Sequence, residues 1–300
     1  MSDNRCAHRD ATTHATLKFD TDVRQTAPPD VRPITDSRRP LLNLHLARTT
    51  MTKHGDTNLG SGDDYRSSHL ERGGKYDATL AAAPFDAYMA QLEEKHLRAM
   101  VAKLFPNHKP RYLDFACGTG RITATVAPLC AESVGVDISS SMLEEAMSKC
   151  PSVRFVQADL TQAEVDIGSF DLISSFRFFG NAQADLREAV LRALHRLMRP
   201  NGHLIINSHR NPHSIAALLN AATGGGPSGM DLSYFKLKAM LRRCGFEIVK
   251  TQPIGAWMYR SSLQTTLHDT ARAERLEKTF GHALLTPFAP DAIIVARKSS

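Results

Sequence analysis

From Arg111 to Arg297, apolar runs of strand length alternate with amphipathic stretches, a pattern that calls for a parallel sheet covered by helices on both faces. The expected strands are Arg111–Phe115, Ser133–Asp137, Val153–Ala158, Phe170–Ser175, His203–Asn207, Phe246–Pro253 and Asp291–Arg297. Helical stripes separate them: Met142, Leu143, Ala146, Met147 and Cys150; then Leu186, Val190, Leu194, Leu197 and Met198, stopping at Pro200-Asn201-Gly202. A third, Leu237, Met240, Leu241 and Cys244, ends at Gly245, a left-handed helix stop that glycine adopts cheaply. Upstream, Tyr88, Leu92, His96, Met100 and Leu104 form one more stripe, ending before Pro106. Sheets of this kind bind ligands at the carboxyl ends of their strands.

The first expected strand runs into Asp114-Phe115-Ala116-Cys117-Gly118-Thr119-Gly120-Arg121, with a helix following at once. Glycines in such a turn permit backbone angles and close approach that a Cβ would forbid. Taken alone, the turn is a weak signal. Acids stand in register with it: Asp114 before the glycines, Asp137 closing the second strand and Asp159 following the third. An acid at the end of the second strand is placed to accept hydrogen bonds from two ribose hydroxyls. A nicotinamide dinucleotide site also has such an acid, but its G-x-G-x-x-G turn would need glycine where Thr123 stands. An acid immediately before the turn would moreover repel a pyrophosphate.

Over roughly residues 87–298 the sequence resembles the class I, Rossmann-like S-adenosylmethionine-dependent methyltransferases, with Ala116 in place of the first glycine of their motif. The resemblance implies an α/β fold with a seven-stranded, mostly parallel sheet whose last strand is antiparallel beside the fifth. It implies S-adenosyl-L-methionine as cofactor. Asp114 and Gly118 would border the methionine moiety, Asp137 would bind the ribose, Ile138 would pack on the adenine, and Asp159 would bond its amino group with Leu160 beside it. Ala116, Gly120, Arg121, Met142 and Phe176 complete the expected cofactor-binding set.

In that fold the turn Phe176-Arg177-Phe178-Phe179-Gly180-Asn181 faces the transferring methyl and its acceptor. Neither the Asn/Asp-Pro-Pro-aromatic motif of base-amine methyltransferases nor the Pro-Cys pair of base-carbon enzymes stands there, and the carboxylate cluster of metal-dependent catechol enzymes is missing, so no metal is expected. Phe176, Phe178 and Phe179 fit core packing as well as substrate contact. Arg177 and His209 are the candidate catalytic residues: a cation near a sulfonium needs a compensating carboxylate, and a histidine can act as general base near neutral pH. A capping or solvated role for His209 stays open, as does packing for Trp257, Met258 and Tyr259 against lining an acceptor pocket. Tyr65, His69 and Tyr76 are candidates for a lid over the cofactor, and the glycine-rich stretch 224–229 for a loop that moves with substrate entry.

Residues 1–60 differ in kind. They hold nine Lys/Arg, seven Asp, no Glu and one aromatic, Phe19, and read as a largely disordered leader, with Met51 a candidate start. Residues 61–110 read as a lid or helical segment and 111–300 as the cofactor-binding domain. Only +2 of the formal +6 lies in the leader and the remainder is dispersed, which is poor support for a nucleic-acid partner. Five cysteines without a CxxC pair suit reduced thiols, and the lack of a signal-like or membrane-spanning stretch suits a soluble, cytoplasmic protein. The expected activity is methyl transfer to an O or N atom of a small molecule, with oligomeric state open. The alternatives are an RNA- or protein-modifying methyltransferase, or a methyltransferase-like protein that binds cofactor without catalysis.

Overall fold

The computed structural model describes residues 84–162, 165–222, 232–257 and 270–299. The expected leader, Tyr65, His69, Tyr76, the glycine-rich stretch 224–229, Met258 and Tyr259 lie outside the described residues.

The elements in chain order are α1 (Pro84–Leu104), β1 (Arg111–Phe115), α2 (Arg121–Val126), β2 (Glu132–Asp137), α3 (Ser140–Lys149), β3 (Arg154–Gln157), β4 (Phe170–Ser175), α4 (Ala184–Leu197), β5 (Met198–Ser208), α5 (Ile215–Ala222), α6 (Tyr234–Arg243), β6 (Phe246–Ile254), α7 (Thr270–Phe280) and β7 (Asp291–Lys298). The seven strands form one sheet in the order β3-β2-β1-β4-β5-β7-β6. β1 to β5 pair in parallel, and β7 lies between β5 and β6, antiparallel to both.

Period-two alternation distributes the apolar side chains between two cores. Leu113, Ile173, Ile206 and Ile294 join one cluster, backed by Leu191 and Leu194 of α4 and Leu237 and Leu241 of α6. Their chain neighbours Tyr112, Leu172, Ile205, Ile293 and Val295 join the other, under Met89, Leu92, Leu97, Met100 and Val101 of α1. Each such burial contributes about 1.5–3 kcal/mol, which explains why the strand pattern is continuous rather than half-polar.

Two boundaries have physical causes worth stating. Gly245 ends α6 at φ +83°, and a Cβ there would come within 2.8 Å of His195 Nε2, so the expected glycine stop is required on both counts. β5 begins at Met198, five residues before the expected His203, because the segment through Asn201 (φ +60°) pairs Met198 with Phe170 before the register shifts to join His203 with Leu172. The helix before it accordingly stops at Leu197, earlier than Pro200-Asn201-Gly202.

The order reverses between β1 and β4: the chain leaves β1 towards β2 and β3, then returns to β4 on the other side. A crevice opens at the carboxyl ends of the strands where such a reversal occurs.

Candidate active site

The turn after β1 is built from left-handed residues. Ala116, Gly118 and Gly120 have φ of +54°, +53° and +79°. The first of these sits where a Cβ costs about 1–2 kcal/mol, so Ala116 keeps the glycine conformation at a cost. A Cβ on Gly120 would lie 3.0 Å from Ala146 Cβ, so that glycine also lets α3 pack against the turn. Gly118 has ordinary space, with Met142 Sδ 3.5 Å from a built Cβ, and its conformation is what demands glycine.

The three acids have distinct surroundings. Asp137, almost wholly buried at the end of β2, accepts from Gly118 N–H at 2.8 Å and from Ser139 N–H at 2.9 Å. It therefore locks the glycine turn to the second strand end. Ser139, rather than Asp137, caps α3 by accepting from Met142 N–H. Asp159 is half-buried after β3 and accepts from both Thr161 N–H and Thr161 Oγ1. Asp114 is buried: its two oxygens accept from Thr123 Oγ1 at 2.6 Å and Ser174 Oγ at 2.7 Å, and Tyr112 OH lies 2.6 Å from Ser174 Oγ. Burial pushes the Asp114 carboxyl up to about 6, against the pull of Thr123, Ser174 and Arg121. Ala116, Gly118, Arg121, Ile138 and Asp159 are partly exposed along the strand ends, whereas Met142 and Leu160 are buried beneath them.

A buried polar chain joins the glycine turn to the β4–β5 edge. Arg121 Nη2 lies 2.9 Å from Glu93 Oε2, and the Glu93 side chain is fully buried. Asn207 Nδ2 donates to Glu93 Oε1 at 3.1 Å, while Asn207 Oδ1 accepts from Arg177 N–H at 2.7 Å. Arg177 itself is left-handed, φ +60°, and Asn181 Nδ2 donates to its carbonyl at 2.6 Å. Phe176, Phe178 and Phe179 are all buried, with Phe178 edge-on to Phe115 and Phe179 at centroid distances of 5.2 and 5.1 Å.

His209 follows β5. Its Nδ1 lies 2.8 Å from Asp291 Oδ2, and Asp291 Oδ1 accepts from Arg210 N–H at 2.9 Å. Among the described residues, no three His, Cys, Asp or Glu side chains group as a metal site, and no helix is long and apolar enough to cross a membrane.

Residues 113–202 match the methyltransferase-domain family. That match falls on β1 to β4 and the start of β5, within a seven-stranded Rossmann-like sheet. It is 32% identical over 122 residues to malonyl-[acyl-carrier protein] O-methyltransferase of Pseudescherichia vulneris, covering 41% of this chain and 47% of that protein. It is 33% identical over 111 residues to the ubiquinone/menaquinone biosynthesis C-methyltransferase UbiE of Azotobacter vinelandii, covering 34% and 43%. The chain thus spans about half the length of the curated relatives it matches. In fold it is similar to magnesium protoporphyrin IX methyltransferase of Synechocystis PCC 6803 with bound S-adenosylhomocysteine, with TM-score 0.51 and 18% identity over 71% of this chain and 84% of that one.

The residues expected to bind the cofactor stand at the ends of β1 and β2, in the turns that follow β1 to β4 or, as Arg121 and Met142 do, in the first turn of the helix that follows, all within the stretch of the family match. Glu93, Asn207 and Asp291 were invisible to motif reasoning, since each acts on a partner more than 80 residues away in sequence or from another element. Trp257 donates from Nε1 to the buried Glu277 at 2.7 Å and meets Tyr88 edge-on, contacts that fit packing beneath α1 and α7.

Proposed function

We propose that this protein binds S-adenosylmethionine over the ends of β1 to β3 and moves its methyl group to an oxygen or nitrogen atom of a small molecule. The observation that carries the cofactor reading is Asp137, oriented by Gly118 N–H and Ser139 N–H at a strand end beside three left-handed turn residues. A carboxylate offers about four acceptor directions, so one steered by backbone donors can also take ribose hydroxyls. The surroundings suit a cation rather than a pyrophosphate: Asp114 lies beneath the turn, and the nearby Arg121 is balanced by buried Glu93.

In this reading Ile138 packs on the adenine, Asp159 accepts from its amino group, and Gly118 lets the chain approach the methionine portion. Ala116, Gly120, Arg121, Met142, Leu160 and Phe176 shape or support that cradle. When bound, the cofactor supplies an electrophilic sulfonium methyl. The chain's own residues align the reactants and exclude water, worth several kcal/mol of barrier on the order found for oriented reactions.

A carbon acceptor is the second reading, favoured by the likeness to the C-methyltransferase UbiE. Incubation with methyl-labelled S-adenosylmethionine and the fractionated extract of the host separates these. Label in a small-molecule ether or amine supports the first reading, and label on carbon, RNA or protein rejects it.

A further inference from the structure

We propose that His209 and Asp291 form a general-base pair at the acceptor end of the crevice, so that the acceptor is a hydroxyl whose proton His209 Nε2 removes. This rests on the methyltransferase reading above and assigns it a substrate class.

The pair is a product of topology. Parallel strands β4 and β5 end at the same edge, and β7, being antiparallel, begins there: Ser208 pairs with Ala292, which places Asp291 beside His209. The edge is held firmly. Asn211 N–H donates to Pro290 carbonyl at 2.9 Å, and Asn211 Nδ2 donates to the carbonyls of Pro287 and Ala289 at 2.7 and 3.1 Å. The loop after β4 closes on the other side, where a Cβ on Gly180 would lie 3.3 Å from the His209 carbonyl oxygen. With the cofactor over β1 to β3, the β4–β5 edge is the part of the crevice left to the acceptor.

The chemistry of the pair has one direction. Burial alone would raise the Asp291 carboxyl. The charge and hydrogen bond of His209, the Arg210 N–H and the charge of Arg177 nonetheless hold it below the usual 3.8. An ionised carboxylate only accepts, so Nδ1 of His209 is the nitrogen that donates to it, and in the neutral imidazole the lone pair falls on Nε2. No hydrogen bond from the described residues occupies Nε2, and the side chain is 12% exposed. Around the pair, the charged groups are Asp291 from β7, Arg177 from the loop after β4 and Arg210 next in the chain.

The step balances. The acceptor O–H bond breaks, its proton going to His209 Nε2 and its electron pair staying on oxygen. That oxygen bonds to the methyl carbon while the methyl–sulfur bond breaks, its pair remaining on sulfur as a neutral thioether. The proton on His209 then passes to solvent. An amine or thiolate that is already nucleophilic would need no such base. His209 is thereby a catalytic residue and Asp291 a positioning residue.

The test has two arms. Nitrogen-detected NMR of the histidine-labelled full chain at pH 8 should show Nδ1–H on His209, lost in Asp291→Asn and kept in Asp291→Glu. With methyl-labelled S-adenosylmethionine and the low-molecular-weight fraction of host extract, the wild type should yield a methyl ether. His209→Gln should lower that rate at least a hundredfold with cofactor Kd within twofold, and Asp291→Asn at least tenfold. An Nε2–H tautomer in the wild type, undiminished turnover in His209→Gln, or a product methylated on nitrogen or carbon overturns the pair. No labelled product from the wild type with any fraction overturns the methyltransferase reading itself.

Discussion

Arg121 Nη2 sits 2.9 Å from Glu93 Oε2, tying the first residue of α2 to a fully buried carboxylate on α1. The same carboxylate accepts from Asn207, whose other amide atom accepts from Arg177 N–H. One buried carboxylate thus connects the glycine turn with the loop after β4. Its partner is only partly buried, so the two halves of the pair are not equivalent.

Arg121→Met leaves the buried Glu93 carboxyl without its cation, and should cost about 3–5 kcal/mol. Glu93→Gln leaves the arginine with access to water and keeps an amide oxygen for Asn207, so its cost should be smaller by at least about 1 kcal/mol. Urea unfolding of both variants checks the order. Equal losses, or a larger loss in Glu93→Gln, would refute the asymmetry.

Ala116 and Gly120 make opposite predictions from the same backbone region. Ala116→Gly relieves a left-handed alanine and should leave stability unchanged or raise it by up to about 1 kcal/mol. Gly120→Ala meets both the positive φ and Ala146, and should cost about 2 kcal/mol or more. Thermal unfolding distinguishes them, and a Gly120→Ala variant as stable as the wild type would show that α3 does not pack as described.

Asp114 gives a pH signature. Its carboxyl is raised from 3.8 to about 6 in the folded chain, chiefly by burial, so the folded state binds a proton more readily than the unfolded one. Its contribution to stability is full below pH 3.8 and is lost as pH rises through about 6. Asp114→Asn, which keeps the oxygen for Thr123 and can donate to Ser174, should therefore match the wild type near pH 4. At pH 8 it should exceed it by up to roughly 3 kcal/mol. A variant less stable than the wild type at pH 8 would mean the charged form is the one the site favours.

How much of this was legible in the sequence depended on whether the determinant is local. The strand runs Arg111–Phe115 and Phe170–Ser175, the glycine turn, Asp137 and the Gly245 stop are set by period and backbone conformation within a few residues, and the structure reproduces them. The start of β5 was missed because Met198 joins the sheet through pairing with Phe170, a partner far along the chain. α5, α7 and the short helix Ala283–Phe288 were missed as well. Leu218 and Leu219 of α5, Phe280 of α7 and Leu284 of the short helix remain exposed, so these elements lack the clean apolar stripe on which periodicity depends. His209 was named as a base candidate, but its ambiguity could be narrowed only by Asp291, which an antiparallel strand brings to it.

The central claim is that Asp137 holds the ribose of S-adenosylmethionine, and titration calorimetry on the full chain addresses it most directly. The wild type should bind S-adenosylmethionine, and Asp137→Ala should bind it at least tenfold more weakly, about 1.4 kcal/mol. Unchanged affinity in Asp137→Ala, or a wild type that binds NAD and not S-adenosylmethionine, would contradict the site described for this fold.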